Sequence, residues 1–340
     1  MKNSTYSTSS SLGHTLIRAF ILPALFLTVP QSGAQSLEKM NPYPQKLVRI
    51  VTGSAPGGPL DFSARLAAQK LSESFGQSVV VEPRTGASGT IATEYVAKAP
   101  ADGYTLLLGS MATLCVVPHL YRKINYDSVK DFYPISMISA AGFIIVVHPS
   151  LPVKNLKQLI ALAKAQPGKL SFGTAGAGSV THLGIEMLKS MAKVSFLHIP
   201  YKGAAPAMID LVGGQTQLMY DSILTSAPLI PSGKIRPIAV GSSKRSALLP
   251  EIPTIAEAGL PGFDASTWFG LLAPANTPVE IVMKINQGLI KTIQEKEVVK
   301  RLLSQGMEPI LNSPEQFSQH IRRELPLWGK LIQEAHIQAE

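Results

Sequence analysis

Val48-Arg49-Ile50-Val51-Thr52-Gly53-Ser54-Ala55-Pro56-Gly57-Gly58-Pro59-Leu60-Asp61-Phe62-Ser63-Ala64-Arg65 carries the decisive pattern of this chain. An apolar β-branched run leads into a turn of small residues, and helical spacing takes over after Pro59. Glycine lets backbone approach a ligand closely, and the first N–H groups of a helix have no intrahelical acceptor. With the positive end of the helix dipole, those donors form an anion site. One such turn commonly does no more than join a strand to a helix. This chain has four: residues 54–60, 85–89, 110–113 and 174–181 each place glycines or hydroxyls after a strand-like run. In open α/β sheets ligands lie beyond the carboxyl ends of the strands, where such turns converge.

Strand-like and helix-like segments alternate outward from the first turn. Residues 47–52, 79–81 and 104–108 read as strands, and 62–75 and the segment up to Lys98 as helices. The rhythm returns with a helix at 156–165, a strand at 170–173 and a helix through Met191. A strand at 196–200, a helix at 205–212 and a strand at 217–220 follow. Continuous apolar strands between helices predict an α/β fold with a parallel sheet covered on both faces. The C-terminal part reads as helices over 279–295 and 314–335, the second kinked or broken at Pro326. Segments near 135–138 and 235–240 are expected to carry the chain between two domains. The first domain is then discontinuous, residues 44–138 plus 265–340, with residues 139–264 inserted as the second.

Residues 1–34 read as a signal peptide. Lys2 and Arg18 are the only charges there, residues 19–29 are almost wholly apolar, and Ser32-Gly33-Ala34 offers the small residues of a cleavage site. Cleavage after Ala34 would export the chain to the periplasm as about 306 residues, a comfortable length for two domains. It would also lower the net charge from +9 to about +7. The basic residues are scattered, with no block of five or more, so nucleic acid is not expected as a partner. Cys115, the single cysteine, rules out an internal disulfide, and its apolar neighbours predict a buried, inert thiol.

The parts of an enzyme are scarce. Neither Ser54 nor Ser179 lies in Gly-x-Ser-x-Gly. His119, His148, His182 and His198 are isolated in sequence, which predicts no metal site. Thr174-Ala175-Gly176-Ala177-Gly178 lacks the third glycine and the spaced acid of a dinucleotide fingerprint, so no cofactor is expected. A secreted serine hydrolase built on Ser179 or Ser54, with His182 as base, is the alternative from another class. Binding is better supplied. The ligand candidates are Ser54, Ala55, Pro56, Gly57, Gly58 and Asp61 in the first turn, and Ser88, Ser110 and Thr113 in the next two. Thr174, Gly176, Gly178, Ser179, Thr181 and His182 line the fourth turn, with Tyr201, Lys202 and Asp221 after later strands. Asp61 has two readings, a cap on its own helix or a partner for a positive group on the ligand. Lys202 reads equally as a solvated side chain, and Asp221 as a cap for the next helix. Arg65 is expected to pair on the helix surface.

Taken together, these residues resemble the substrate-binding receptors of tripartite tricarboxylate transporters, the Bug family. The matching motifs are Ala55-Pro56-Gly57-Gly58-x-x-Asp61-x-x-Ala64-Arg65, Asp102-Gly103-Tyr104-Thr105-Leu106-Leu107, Pro200-Tyr201-Lys202-Gly203, Leu249-Pro250-x-x-Pro253-Thr254-x-x-Glu257-x-Gly259 and Trp268-Phe269-Gly270. The resemblance implies a two-domain periplasmic-binding-protein fold of type II that closes on a small carboxylate between its domains. It implies that the loops matching residues 54–61 and 174–182 hold the ligand, partly through water. It also implies membrane transporter subunits as partners, although a sensor subunit for a signalling protein would read the same way. A monomer is expected. The chain departs from the family at Thr85-Gly86-Ala87-Ser88-Gly89, where Pro-Gly-Ala-Gly-Gly is commoner.

Overall fold

The first turn sits where a strand of one sheet hands over to its helix. The computed structural model describes residues 43–54 and 56–337. The expected leader and Ala55 lie outside these. In chain order the first elements are β1 (Val48–Thr52), α1 (Pro59–Phe75), β2 (Val79–Pro83), α2 (Thr90–Ala97), β3 (Thr105–Ser110), α3 (Val117–Leu120) and β4 (Phe132–Ala141). The middle of the chain supplies β5 (Phe143–Val147), α4 (Leu156–Ala165), β6 (Ser171–Thr174), α5 (Val180–Ala192), β7 (Leu197–Pro200), α6 (Ala204–Val212), β8 (Leu218–Ser222), α7 (Ile223–Ser226) and β9 (Arg236–Val240). The last elements are β10 (Thr267–Pro274), α8 (Val279–Ile293), α9 (Lys296–Ser304), β11 (Met307–Pro309) and α10 (Pro314–Glu334).

These strands form two sheets, one ordered β11-β4-β10-β3-β1-β2 and the other β7-β6-β8-β5-β9. Both are mixed, which corrects the expectation of a parallel sheet. β1 runs parallel to β2 and β3, but β10 is antiparallel to β3 and β4. In the second sheet β6 is parallel to β7 and β8, while β5 is antiparallel to β8 and β9. The reason is the crossing. β4 leaves the first sheet at its carboxyl end, and β10 returns at that same end, so it must run the opposite way.

The crossing points also differ from those expected. Residues 135–138 and 235–240 are interior to β4 and β9 or adjoin β9; the chain passes at Gly142 and again within residues 241–266. The Gly142 N–H donates to the Gly306 carbonyl and its own carbonyl accepts from Ile223 (3.4 and 3.1 Å). On the return path Gly241 donates to the Phe143 carbonyl, and Ala265 donates to the Gly241 carbonyl. Buried Tyr220 stacks on Phe143 and donates its hydroxyl to the Ala265 carbonyl at 3.1 Å. Only glycine fits at 241, where a Cβ would stand 1.8 Å from that hydroxyl.

α1 shows how the local sequence sets the site. Pro59 opens it with a pre-set φ and no N–H to lose, and Gly76, at φ 65°, closes it. Its Leu66, Ala67 and Leu71 bury against Ile50, Leu106 and the Val282–Leu289 stripe of α8. The other face of the first sheet is covered by α2 and by α10, whose Ile321, Trp328 and Ile332 are buried. α10 starts with a capping box of Ser313 and Gln316, and it continues through Pro326 without a break. Cys115 is free and fully buried, and burial pushes its thiol up.

Candidate functional site

Three of the four turns come together at the carboxyl end of the first sheet. A Cβ on Gly53 would stand 2.6 Å from the Gly89 Cα, and one on Gly89 would stand 2.7 Å from Thr113 Cγ2. The turns after β1, β2 and β3 are thus stacked with no room for a side chain between them. Ser110 and Thr113 lock the third turn, each accepting the other's backbone N–H on its hydroxyl (3.1 and 3.3 Å). Ser88 adopts a left-handed conformation, φ 53°, and its hydroxyl meets that of Tyr121 at 2.7 Å.

Asp61 turns back on its own segment. Its Oδ2 accepts the Gly57 N–H at 3.0 Å and the Arg65 Nε–H at 2.8 Å. Arg65 therefore pairs on its own helix, as the sequence predicts. The Arg65 hydrogen bond holds the Asp61 carboxyl below the usual carboxylate range against the opposing effect of burial, with the Gly57 N–H adding to it. Gly57 is at φ 96°, which suits glycine alone. Oδ1 of Asp61 and Oγ of Ser54 are both buried without a hydrogen-bond partner.

The fourth turn is built differently. Ser179 caps α5, accepting the His182 N–H, and donates its hydroxyl to the Gly176 carbonyl at 2.7 Å. Thr181 Oγ1 accepts the Ala175 N–H at 2.8 Å, and His182 Nδ1 accepts the Gly178 N–H at 3.1 Å. Buried His182 stacks on His198 (centroids 3.9 Å apart), and its Nε2 faces Glu186. His198 Nε2 bonds Thr174 Oγ1 at 2.7 Å, and burial, reinforced by His182, pushes its pKa down to about 4. These side chains are spent on holding the turn. Ser179 and His182 do not form a nucleophile–base pair, because each already serves a backbone group of the turn.

Tyr201 and Asp221 turn inward as well. Tyr201 donates its hydroxyl to Asp210 at 2.6 Å and its N–H to the Thr174 carbonyl, bracing the turn from behind. Burial, with Asp210 adding to it, pushes the Tyr201 hydroxyl up to about 12. Asp221 is 2% exposed and accepts from the hydroxyls of Thr225 and Ser226, while Ser222 is the residue that caps α7; burial pushes the Asp221 carboxyl up. Lys202 is exposed.

The fourth turn meets the first-sheet side at a glycine. A Cβ on Gly178, in the fourth turn, would lie 2.8 Å from Leu120 Cδ1, at the end of α3. Leu120, Tyr121 and Leu224 border the cleft and carry no sequence signal, because tertiary packing alone brings them there. Among the described residues no helix is long and apolar enough to cross a membrane.

Two mixed sheets joined by two crossings, with glycine turns opposed at their facing ends, define a periplasmic-binding-protein type of solute receptor. The chain belongs to the tripartite tricarboxylate transporter receptor family: the family model described as "Tripartite tricarboxylate transporter family receptor" matches residues 63–337. It is 36% identical to the Bordetella pertussis protein BugT over 315 residues, 92% of this chain and 97% of BugT. Among solved structures it is similar to an R. palustris protein with adipate (39% identity, TM-score 0.72, 87% of this chain and 99% of that one). It is also similar to MatC from Rhodopseudomonas palustris with bound malate (31% identity, TM-score 0.68, 85% and 100%). The family consists of receptors, and the chain is accordingly a solute-binding protein of the Bug type, not a hydrolase.

Proposed function

We propose that this chain is an extracytoplasmic receptor that captures a small carboxylate between its two sheets and presents it to a tripartite tricarboxylate-type transporter. The observation that carries this reading is the opposition of two glycine turns, residues 54–58 and 174–179, each opening a helix, with Gly178 set against Leu120. First-turn N–H groups of α1 and α5 lack intrahelical acceptors and carry the positive ends of both dipoles. Ser54 offers a hydroxyl and Gly58 an N–H from one side, and the first-turn N–H groups of α5 offer the other; Pro56, Gly57, Thr174, Gly176 and Gly178 give the two turns their shape. His182, Tyr201, Asp221 and Asp61 act behind these groups by fixing the turns. Residues 44–138 plus 265–340 and residues 139–264 would form the two lobes, moving about Gly142 and the 241–266 return.

Ligand that bridges both turns binds the closed form better, and that difference alone shifts the population toward closure. A micromolar receptor needs about 8 kcal/mol, within reach of charge-assisted and water-bridged hydrogen bonds in a desolvated cleft. The adipate and malate found with two relatives support small dicarboxylates as the first acids to test. The apolar run at residues 19–29 and Ser32-Gly33-Ala34 support export to the periplasm with cleavage after Ala34.

Native mass spectrometry of protein purified from the periplasm tests the whole reading. The expected species is a monomer beginning at Gln35 that gains the mass of one small acid. Calorimetric titration with a panel of mono- and dicarboxylates should then give at least one affinity in the micromolar range. An intact leader would refute export, and silence across the panel would refute carboxylate capture.

A further inference from the structure

A chamber of about 230 Å³ lies beside the first turn, lined in part by Gly57 and Gly58. Asp61 and Arg65 of α1 form one wall, Arg301 of α9 another, and Leu224, from the second sheet's α7, a third. The chamber thus draws on both halves of the protein and shares two glycines with the turn that holds the ligand.

The charges in the chamber do not cancel. Asp61 is matched by Arg65 through the 2.8 Å Nε–Oδ2 bond, which engages only Nε of that guanidinium. Arg301 pairs with no carboxylate among the described residues; it donates to Gln69 Oε1 at 3.2 Å and lies 5.9 Å from the Phe62 ring centre. Glu73, the next acid along α1, is already taken up by Lys70 and Gln69. Arg301 is thus left without a hydrogen-bonded carboxylate, on a planar fork that suits one.

We propose that this chamber is a distal subsite, in which Arg301, backed by the terminal N–H groups of Arg65, receives the second carboxylate of a dicarboxylate. The first carboxylate sits at the α1 turn, so this inference rests on the capture of carboxylates proposed above. Monocarboxylates of equal length fill the same space and leave Arg301 without its partner. Arg301 is therefore a specificity-determining residue and has little part in holding the fold, since it is exposed.

Titration calorimetry with three matched pairs tests it: succinate and butyrate, glutarate and valerate, adipate and hexanoate. Wild-type protein should bind the best diacid at least tenfold more tightly than its monoacid. Arg301→Gln should lose that preference by weakening the diacid 10- to 100-fold while the monoacid is unchanged, and Arg301→Lys should recover part of it. Arg65→Gln should weaken the diacid as well. A variant that weakens both members of a pair equally would show a general structural effect and overturn the subsite. So would a wild type that binds monoacids as tightly as diacids, which leaves carboxylate capture standing. A wild type that binds no acid at all removes both readings together. Melting temperatures of the Arg301 variants within a degree of wild type are expected and confirm that the fold is intact.

Discussion

Gly53→Ala puts the stacked turns under direct strain. The new methyl would lie 2.6 Å from the Gly89 Cα and 3.1 Å from its carbonyl oxygen, where ordinary contact begins near 3.4 Å. Backbone must therefore give way by about 0.8 Å, far more than a packed interior yields without cost. Gly89 has nowhere to go. Thr113 packs against it from behind, its N–H is bound to the Gly86 carbonyl, and its carbonyl receives the Thr93 hydroxyl. Overpacking of this kind costs about 1–3 kcal/mol. With an unfolding entropy of about 2.1 cal/mol/K per residue, a chain of this size should melt about 2–5 °C lower. Because the displaced backbone is also the ligand turn, affinity should fall about tenfold, equivalent to about 1.4 kcal/mol. Gly213→Ala is the control: its φ of −77° is ordinary and its nearest neighbour would be at 3.4 Å. Calorimetric melting and titration of the tightest-binding acid measure both effects. If Gly53→Ala melts and binds as Gly213→Ala does, the stacked-turn account is wrong.

Two further outcomes follow from the same geometry. His198, held near 4 against an ordinary 6.5, stays neutral in the folded protein while the unfolded chain takes up a proton, so its contribution to stability is full above pH 6.5 and drains away toward pH 4. His198→Gln should flatten the fall of melting temperature across that window, and an unchanged slope would count against the stacked pair as its source. Ser313→Ala removes the hydroxyl that accepts the Gln316 N–H, leaves the Ser313 N–H bond to Gln316 Oε1 in place, and should cost about 1 kcal/mol by denaturant unfolding, with ligand affinity untouched.

Much of this architecture can be read from short-range pattern. The residues of α1, α4, α5 and α6 have apolar spacing and end signals that place them within two or three positions of where they lie. Asp61 is ambiguous in the sequence because a first-turn acid serves either role, and only the folded chain brings the Gly57 N–H and Arg65 to its Oδ2. β10 and β11 escape detection for another reason. Thr267–Pro274 is buried throughout, so it shows no alternation, and Met307–Pro309 is too short for any period. Arg301 is invisible as a site residue, since it comes to the α1 turn only through the packing of α9. His182, Tyr201 and Asp221 are of types that suit ligand contact, yet each is engaged by a neighbour a few residues away. Polar side chains near a ligand turn commonly serve its backbone first.

β10 lies between β3 and β4 in the finished sheet although more than 120 residues separate it from either in sequence. A chain emerging in N-to-C order therefore presents two strand edges with a gap between them, and keeps them open until its last quarter arrives. The second sheet has no such debt, since all five of its strands are contiguous in sequence. The inserted half can be complete while the enclosing half still waits for its middle strand. Exposed edges of that kind invite pairing with other chains. The hazard in making this receptor is thus one of timing, greatest in the interval before Thr267–Pro274 is released.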